Sequence, residues 1–244
     1  MKFRNKNISI AQVREGIATE LRARVVGPNA NQREHEIMNS PGDRWFAEDR
    51  PIRLVHGDAS MFIGGLRALL LQSLHPLAMA GVANYSDYRQ DPWGRLQRTA
   101  DFLAATSFGP ADEAQRIVNR VKAVHVKVNG VASDGRNYSA TDPHLLKWVH
   151  IAEIDSFLHT YQKFSKAPLD QAGRDGYVKD AAFVARAVGG LMSGNISAAF
   201  AYAADVSTPD ALDQGSVQLH QGLAAGADHQ LGIALAAPPH AGDM

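Results

Sequence analysis

Apolar residues recur at helical intervals along most of this chain, and that periodicity limits it to a helical fold. Between residues 8 and 26, Ile10, Val13, Ile17, Leu21 and Val25 fall three and four apart with charges between them, the pattern of an amphipathic helix. A second, strongly apolar helix is expected over 59–74, ended by His75-Pro76, because proline disfavours helical geometry in the residue before it. Asp91-Pro92 and Asp142-Pro143 each pair a side-chain cap with a proline suited to the first helical position, so each predicts a helix start. Residues 111–128 form another amphipathic stretch with Ile117, Val121, Val124 and Val128 turned inward and Asn129-Gly130 as its stop. A further helix is expected over 177–188. Residues 27–56, rich in Pro, Gly, Asn and charge, read as a connection anchored by Trp45 and Phe46. No strand alternation, hairpin dipeptide between apolar runs or internal repeat is evident, so the expected fold class is all-α in a single domain.

Composition narrows the chemistry. The chain has 244 residues, no cysteine and a formal net charge of zero. Lack of cysteine excludes thiolate haem ligation, cysteine-held iron–sulfur clusters and disulfides, leaving nitrogen and oxygen ligands. A zero net charge argues against nucleic acid as a partner. Arg67, Gln72 and His75 interrupt the richest apolar stretch and argue against an integral membrane segment. Gln12, Arg14 and Glu15 break any signal-peptide core, so the expected location is cytoplasmic. All 25 basic residues lie in the first 186 positions, whereas five aspartates and no other charged residue lie beyond, giving net charges of +5 and −5. The expected organisation is an N-terminal helix and connection over 1–44, a helical core over 45–186 and an Ala-rich tail of open fold over 187–244. Oligomeric state is not legible.

Several residues are candidates for chemistry. His125 falls on the apolar stripe of the 111–128 helix, where a neutral imidazole suits a metal ligand and equally a core histidine bonded to a carbonyl. Arg95 and Thr99, four apart, share one helix face; an arginine beside apolar surface needs an anion or a route to solvent. Arg98 lies between them. His75 suits either a pocket wall or the C-terminal end of the 59–74 helix, and His150 and Glu153 make a His-x-x-Glu pair that a non-haem metal site also uses.

In order and spacing, the segments 95–99, 124–130 and 138–150 resemble the family of latex-clearing rubber oxygenases and the MpaB-type oxygenase, over roughly residues 45–186. The resemblance implies an all-helical domain with a buried pocket for haem b and its iron. It places the axial ligand at His125, Arg95 and Thr99 beside the macrocycle, and His75 and His150 as further cofactor-pocket residues. Arg95, Arg98 and Thr99 become the candidate catalytic residues, and the implied partners are dioxygen and a small apolar, isoprenoid or lipid-like substrate. Two departures stand against it. Where some rubber oxygenases have a distal lysine, this chain has Arg98, a poor metal ligand; and no Asp or Glu occurs between Leu69 and Ser86, where the family's distal acid is expected. A haem-binding protein without turnover, or a cofactor-free helical scaffold, are the alternatives.

Overall fold

The computed structural model describes residues 9–86 and 88–189. Among these residues the chain forms nine helices and one short ribbon: α1 (Ile10–Val26), α2 (Ala30–Asn39), α3 (Pro51–His56), α4 (Met61–Ser73), α5 (Pro76–Tyr85), α6 (Pro92–Phe108), α7 (Ala111–His125), β1 (Asn129–Val131), β2 (Asn137–Ser139), α8 (Pro143–Phe164) and α9 (Gln171–Val188). The fold is all-α, as the periodicity predicts. No single described helix is long and apolar enough to cross a membrane.

Both Asp-Pro pairs act as read. The Asp91 carboxylate accepts from the Gly94 amide and that of Asp142 from the His144 amide, each capping the helix that follows. At α1, Ser9 and Gln12 form a reciprocal capping box.

Four expectations are corrected. The 27–56 connection contains two helices. Ala30 and Ile37 supply a short buried edge to α2, and Arg33 ties it to α6 and α7 through Asp101 at 2.7 Å and Glu113 at 2.5 Å. In α3 the buried pair Ile52 and Val55 follows Pro51 at the first helical position. These are tertiary anchors, too short to register as periodicity. Secondly, α7 stops at His125, and Val124 is exposed rather than inward. Thirdly, an antiparallel ribbon pairs Gly130 with Tyr138, closed near Gly135, whose φ of 85° favours glycine. Finally, the apolar stripe of α1 is not buried within the described residues; Ile10, Val13, Ile17 and Leu21 all face outward. The tail expected over 187–244 lies almost wholly outside the described residues.

The core is organised around α8, which carries twelve buried residues, among them Trp148, His150, Ser156 and Thr160. One side packs on α4 at very close range. A Cβ placed on Gly64 would lie 2.8 Å from both Phe157 Cδ1 and Thr160 Oγ1, so only glycine fits there without displacement. Arg67 clamps the same contact, donating to Asp155 Oδ2 at 2.6 Å and Ser156 Oγ at 2.8 Å. Elsewhere α8 meets α3 and α9 in the largest apolar cluster, which includes Ile52, Val55, Ile154, Phe157, Tyr177 and Val184.

The neighbouring glycine provides an internal control, since nothing lies within 4 Å of a Cβ at Gly65. We predict that Gly64→Ala destabilises the protein by about 1–3 kcal/mol through overpacking, while Gly65→Ala is neutral or stabilising by about 0.5–1 kcal/mol. Urea unfolding of the two variants tests this, and equal effects at both positions would refute the close-packed α4–α8 seam.

Candidate functional site

Three helices bring the candidate residues towards one another. The capped start of α6 fixes Arg95 on its first turns, the last residue of α7 is His125, and the middle of α8 carries His150 and Glu153. His150 Nδ1 lies 3.7 Å from Glu153 Oε2, and Gln72 of α4 donates to Glu153 Oε1 at 3.3 Å. Burial, reinforced by the approach of His150, holds the His125 imidazole below its ordinary pKa. The His125 ring makes no hydrogen bond to any described residue. Burial is also the largest influence on Arg95, lowering its pKa, with Arg98 acting in the same direction while Tyr88 and Glu153 oppose it. Among the described residues Arg95 has no carboxylate within ion-pair distance; its one side-chain bond is a long 3.4 Å contact with Ser86 Oγ. An imidazole held towards its neutral form and a desolvated cation with no carboxylate at ion-pair distance among the described residues therefore sit on adjoining helices.

The other sequence candidates stand apart from that arrangement. Thr99 donates to the Arg95 carbonyl one turn back, at 3.2 Å. Arg98 is exposed and lies 3.6 Å from Asp91 at the helix start. His75 caps the N-terminus of α5, where its Nδ1 accepts from the Ala78 amide at 3.4 Å, instead of capping the C-terminus of α4. Its ring lies 5.6 Å from that of Trp148. Trp148 and His150 are two positions apart on α8, about 200° around the helix, so His75 and His150 approach different faces.

The structure adds residues that the sequence reading passed over. A cavity of about 30 Å³ lies between α3, α6, α8 and α9, lined on its polar side by His56, Thr106, His150, Glu153 and Tyr177 and elsewhere by Ile52, Phe102, Phe157 and Val184. His56 retains some exposure as a residue, but both ring nitrogens are engaged: Nδ1 with Ser107 Oγ at 2.7 Å and Nε2 with Tyr177 Oη at 3.1 Å. Burial of that imidazole pushes its pKa down to about 3, and burial pushes the Tyr177 phenol well above its usual value. His56 ends a six-residue helix within the stretch read as loop. Its only sequence signal was Pro51 followed by Ile52 and Val55.

Residues 53–239 match the family model described as ER-bound oxygenase mpaB/B'/Rubber oxygenase, catalytic domain. The chain belongs to this family. The match covers most of the sequence and continues past Arg186, where the composition changes. Comparisons with curated proteins and with solved structures give no match. Membership makes this a member of an oxygenase family, with a small substrate and dioxygen as the partners that chemistry suggests.

The donor set also bears on the haem implied by the family. Among the described residues no three His, Asp or Glu side chains converge to hold a bare metal ion. A haem asks less of the protein, one axial imidazole and a counter-charge for its propionates, and His125 and Arg95 have that chemistry. Space is the stricter condition. At about 30 Å³ the cavity between α3, α6, α8 and α9 has room for about one or two waters, and neither His125 nor Arg95 lines it, so it is not a haem pocket as it stands.

The His56 environment makes a pH prediction. Its folded pKa of about 3 lies below the unfolded value near 6.5, so on acidification the unfolded chain takes up the proton first. Stability is therefore full above about pH 6.5 and falls by about 1.4 kcal/mol per pH unit below it, or about 2 kcal/mol from pH 7 to pH 5 from this residue alone. Imidazole NMR should find His56 neutral at pH 5; titration near 6.5 would contradict the buried Ser107–His56–Tyr177 contact.

Proposed function

We propose that the protein is a haem b-dependent oxygenase that acts with dioxygen on a small apolar molecule of isoprenoid or lipid-like character, with His125 as the axial ligand. The observation that carries this reading is the His125 imidazole at the end of α7: held towards the neutral form by burial, unbonded among the described residues, and on a helix adjoining that of desolvated Arg95. When bound, the haem supplies an iron centre at which dioxygen is activated.

The chain's own residues do the rest. Arg95 would hold the haem by offsetting the charge of a propionate, an interaction strengthened by its desolvated position. Thr99 ties its hydroxyl to the Arg95 carbonyl and steadies that turn. His150 lies within electrostatic reach of His125 and is held beside Glu153. Glu153 is the carboxylate that the cavity itself offers, in a chain with no acidic residue between Leu69 and Ser86. Ile52, Phe102, Phe157 and Val184 make the remaining wall of that small cavity apolar. Arg98, drawn towards Asp91 at the exposed start of α6, acts at most through its charge on Arg95.

A second reading, haem binding without turnover, is favoured by the missing acid between Leu69 and Ser86. Oxygen consumption separates the two.

The test is expression with haem supplied, a visible spectrum, and an oxygen-uptake assay with squalene. We predict a Soret band that His125→Ala abolishes or weakens, with a loss of haem affinity beyond the roughly 10–100-fold typical of losing an outer-sphere partner, and uptake that depends on the hydrocarbon. Folded wild-type protein without a Soret band would refute the proposal; a Soret band without uptake would leave the second reading.

A further inference from the structure

The chain Ser107–His56–Tyr177 joins α6, α3 and α9, and none of the three residues belongs to the segments that carry the family resemblance. Ser107 and Tyr177 are buried, at 2 % and 0 % exposure. A polar chain in such surroundings costs more than an apolar one unless every group is satisfied. Its hydrogen count leaves one group over. The two hydroxyls and the neutral imidazole provide one donor each, and the two links use two of these three. If the links run from Tyr177 towards Ser107, the remaining hydrogen is on Ser107; if they run the other way, it is on Tyr177. Ser107 does not line the cavity, whereas Tyr177 does. An acceptor in the cavity therefore selects the second direction, with Ser107 donating to Nδ1, Nε2–H donating to the phenol, and the phenol donating to the acceptor.

We propose that Tyr177, positioned by His56 and Ser107, donates a hydrogen bond to a neutral oxygen at the end of the ligand, a carbonyl or hydroxyl on an otherwise apolar molecule; at about 30 Å³ the cavity takes that polar end alone, and the apolar remainder lies outside it. This deepens the oxygenase reading and rests on it, since it gives that substrate a polar anchor on α9. The surroundings select a neutral oxygen. A ligand carboxylate would enter an apolar-walled space already occupied by Glu153, where like charge and desolvation both oppose it. Neither Tyr177 nor His56 changes charge near neutral pH, so the anchor recognises its ligand by a hydrogen bond alone. Thr106, which also lines the cavity, does not compete as a donor, because its hydroxyl is bonded to the Phe102 carbonyl at 2.8 Å.

The experiment compares 2-undecanone with n-undecane on the full chain prepared with haem, as wild type and as Tyr177→Phe. Dissociation constants come from displacement of an apolar fluorescent dye, and the carbonyl stretch of bound ketone is read by infrared spectroscopy. Wild-type protein is expected to bind the ketone roughly tenfold more tightly than the alkane, the scale of one hydrogen bond in a dry site, with the carbonyl stretch lowered. In Tyr177→Phe the preference is lost, alkane affinity is unchanged and the stretch rises. Equal affinities in wild type, binding of neither compound, or a preference and stretch that survive in Tyr177→Phe would overturn the proposal. The wild-type comparison and infrared reading decide the matter even if the variant does not fold. The Soret band of the same samples separates the two readings: preference without the band refutes the haem assignment, and the band without preference refutes the Tyr177 anchor.

Discussion

Helix α8 carries twelve buried residues, so its buried polar side chains need a partner inside the protein or a place where a ligand supplies one; Trp148 is the exception, its Nε1 buried without a hydrogen-bond partner among the described residues. Towards α4 the requirement is met by contact. Gly64 lets the backbones approach, Arg67 spans Asp155 and Ser156, and Thr160 returns its hydroxyl to the Ser156 carbonyl at 2.9 Å. That side is fixed. On the side facing α3, α6 and α9, His150 and Glu153 face a cavity instead, and the functional reading follows from that difference.

The electrostatics of that region are unusual for being weakly charged at their centre. Burial holds His56 and His125 towards the neutral imidazole and Tyr177 towards the neutral phenol. Arg95 remains the desolvated cation, and the Glu153 carboxylate is among the described charges that act on it. Neutral imidazole is the form that ligates iron, and an arginine in a low-dielectric setting exerts more force on a nearby anion than one at the surface. The same burial that stabilises the fold therefore prepares the donors for cofactor chemistry.

Much of this was legible in the chain because it rests on local physics. Asp91-Pro92 and Asp142-Pro143 mark their helix starts by capping chemistry alone; the apolar run of α4 marks a helix but not the buried one expected of it, since Ile63, Leu66, Leu69 and Leu70 are exposed among the described residues. Alignment of Arg95 with Thr99 follows from the helical repeat. What could not be read depends on partners distant in sequence. Helix α2 is held by Arg33 reaching Asp101 and Glu113, and His56 gains its meaning only from Ser107 and Tyr177, 51 and 121 positions away. Val124 fits an inward periodicity, yet α7 ends one residue later and leaves it exposed. Arg98 shares a helix with Arg95 but is exposed, with Asp91, the capping residue, 3.6 Å away.

The most direct measurement is a crystal structure of the protein grown with haem. The account predicts that haem is bound, that His125 holds its iron, and that Arg95 is the cation beside it. Iron held by His75, His150 or another residue, or a folded protein that excludes haem at saturating concentration, would contradict it.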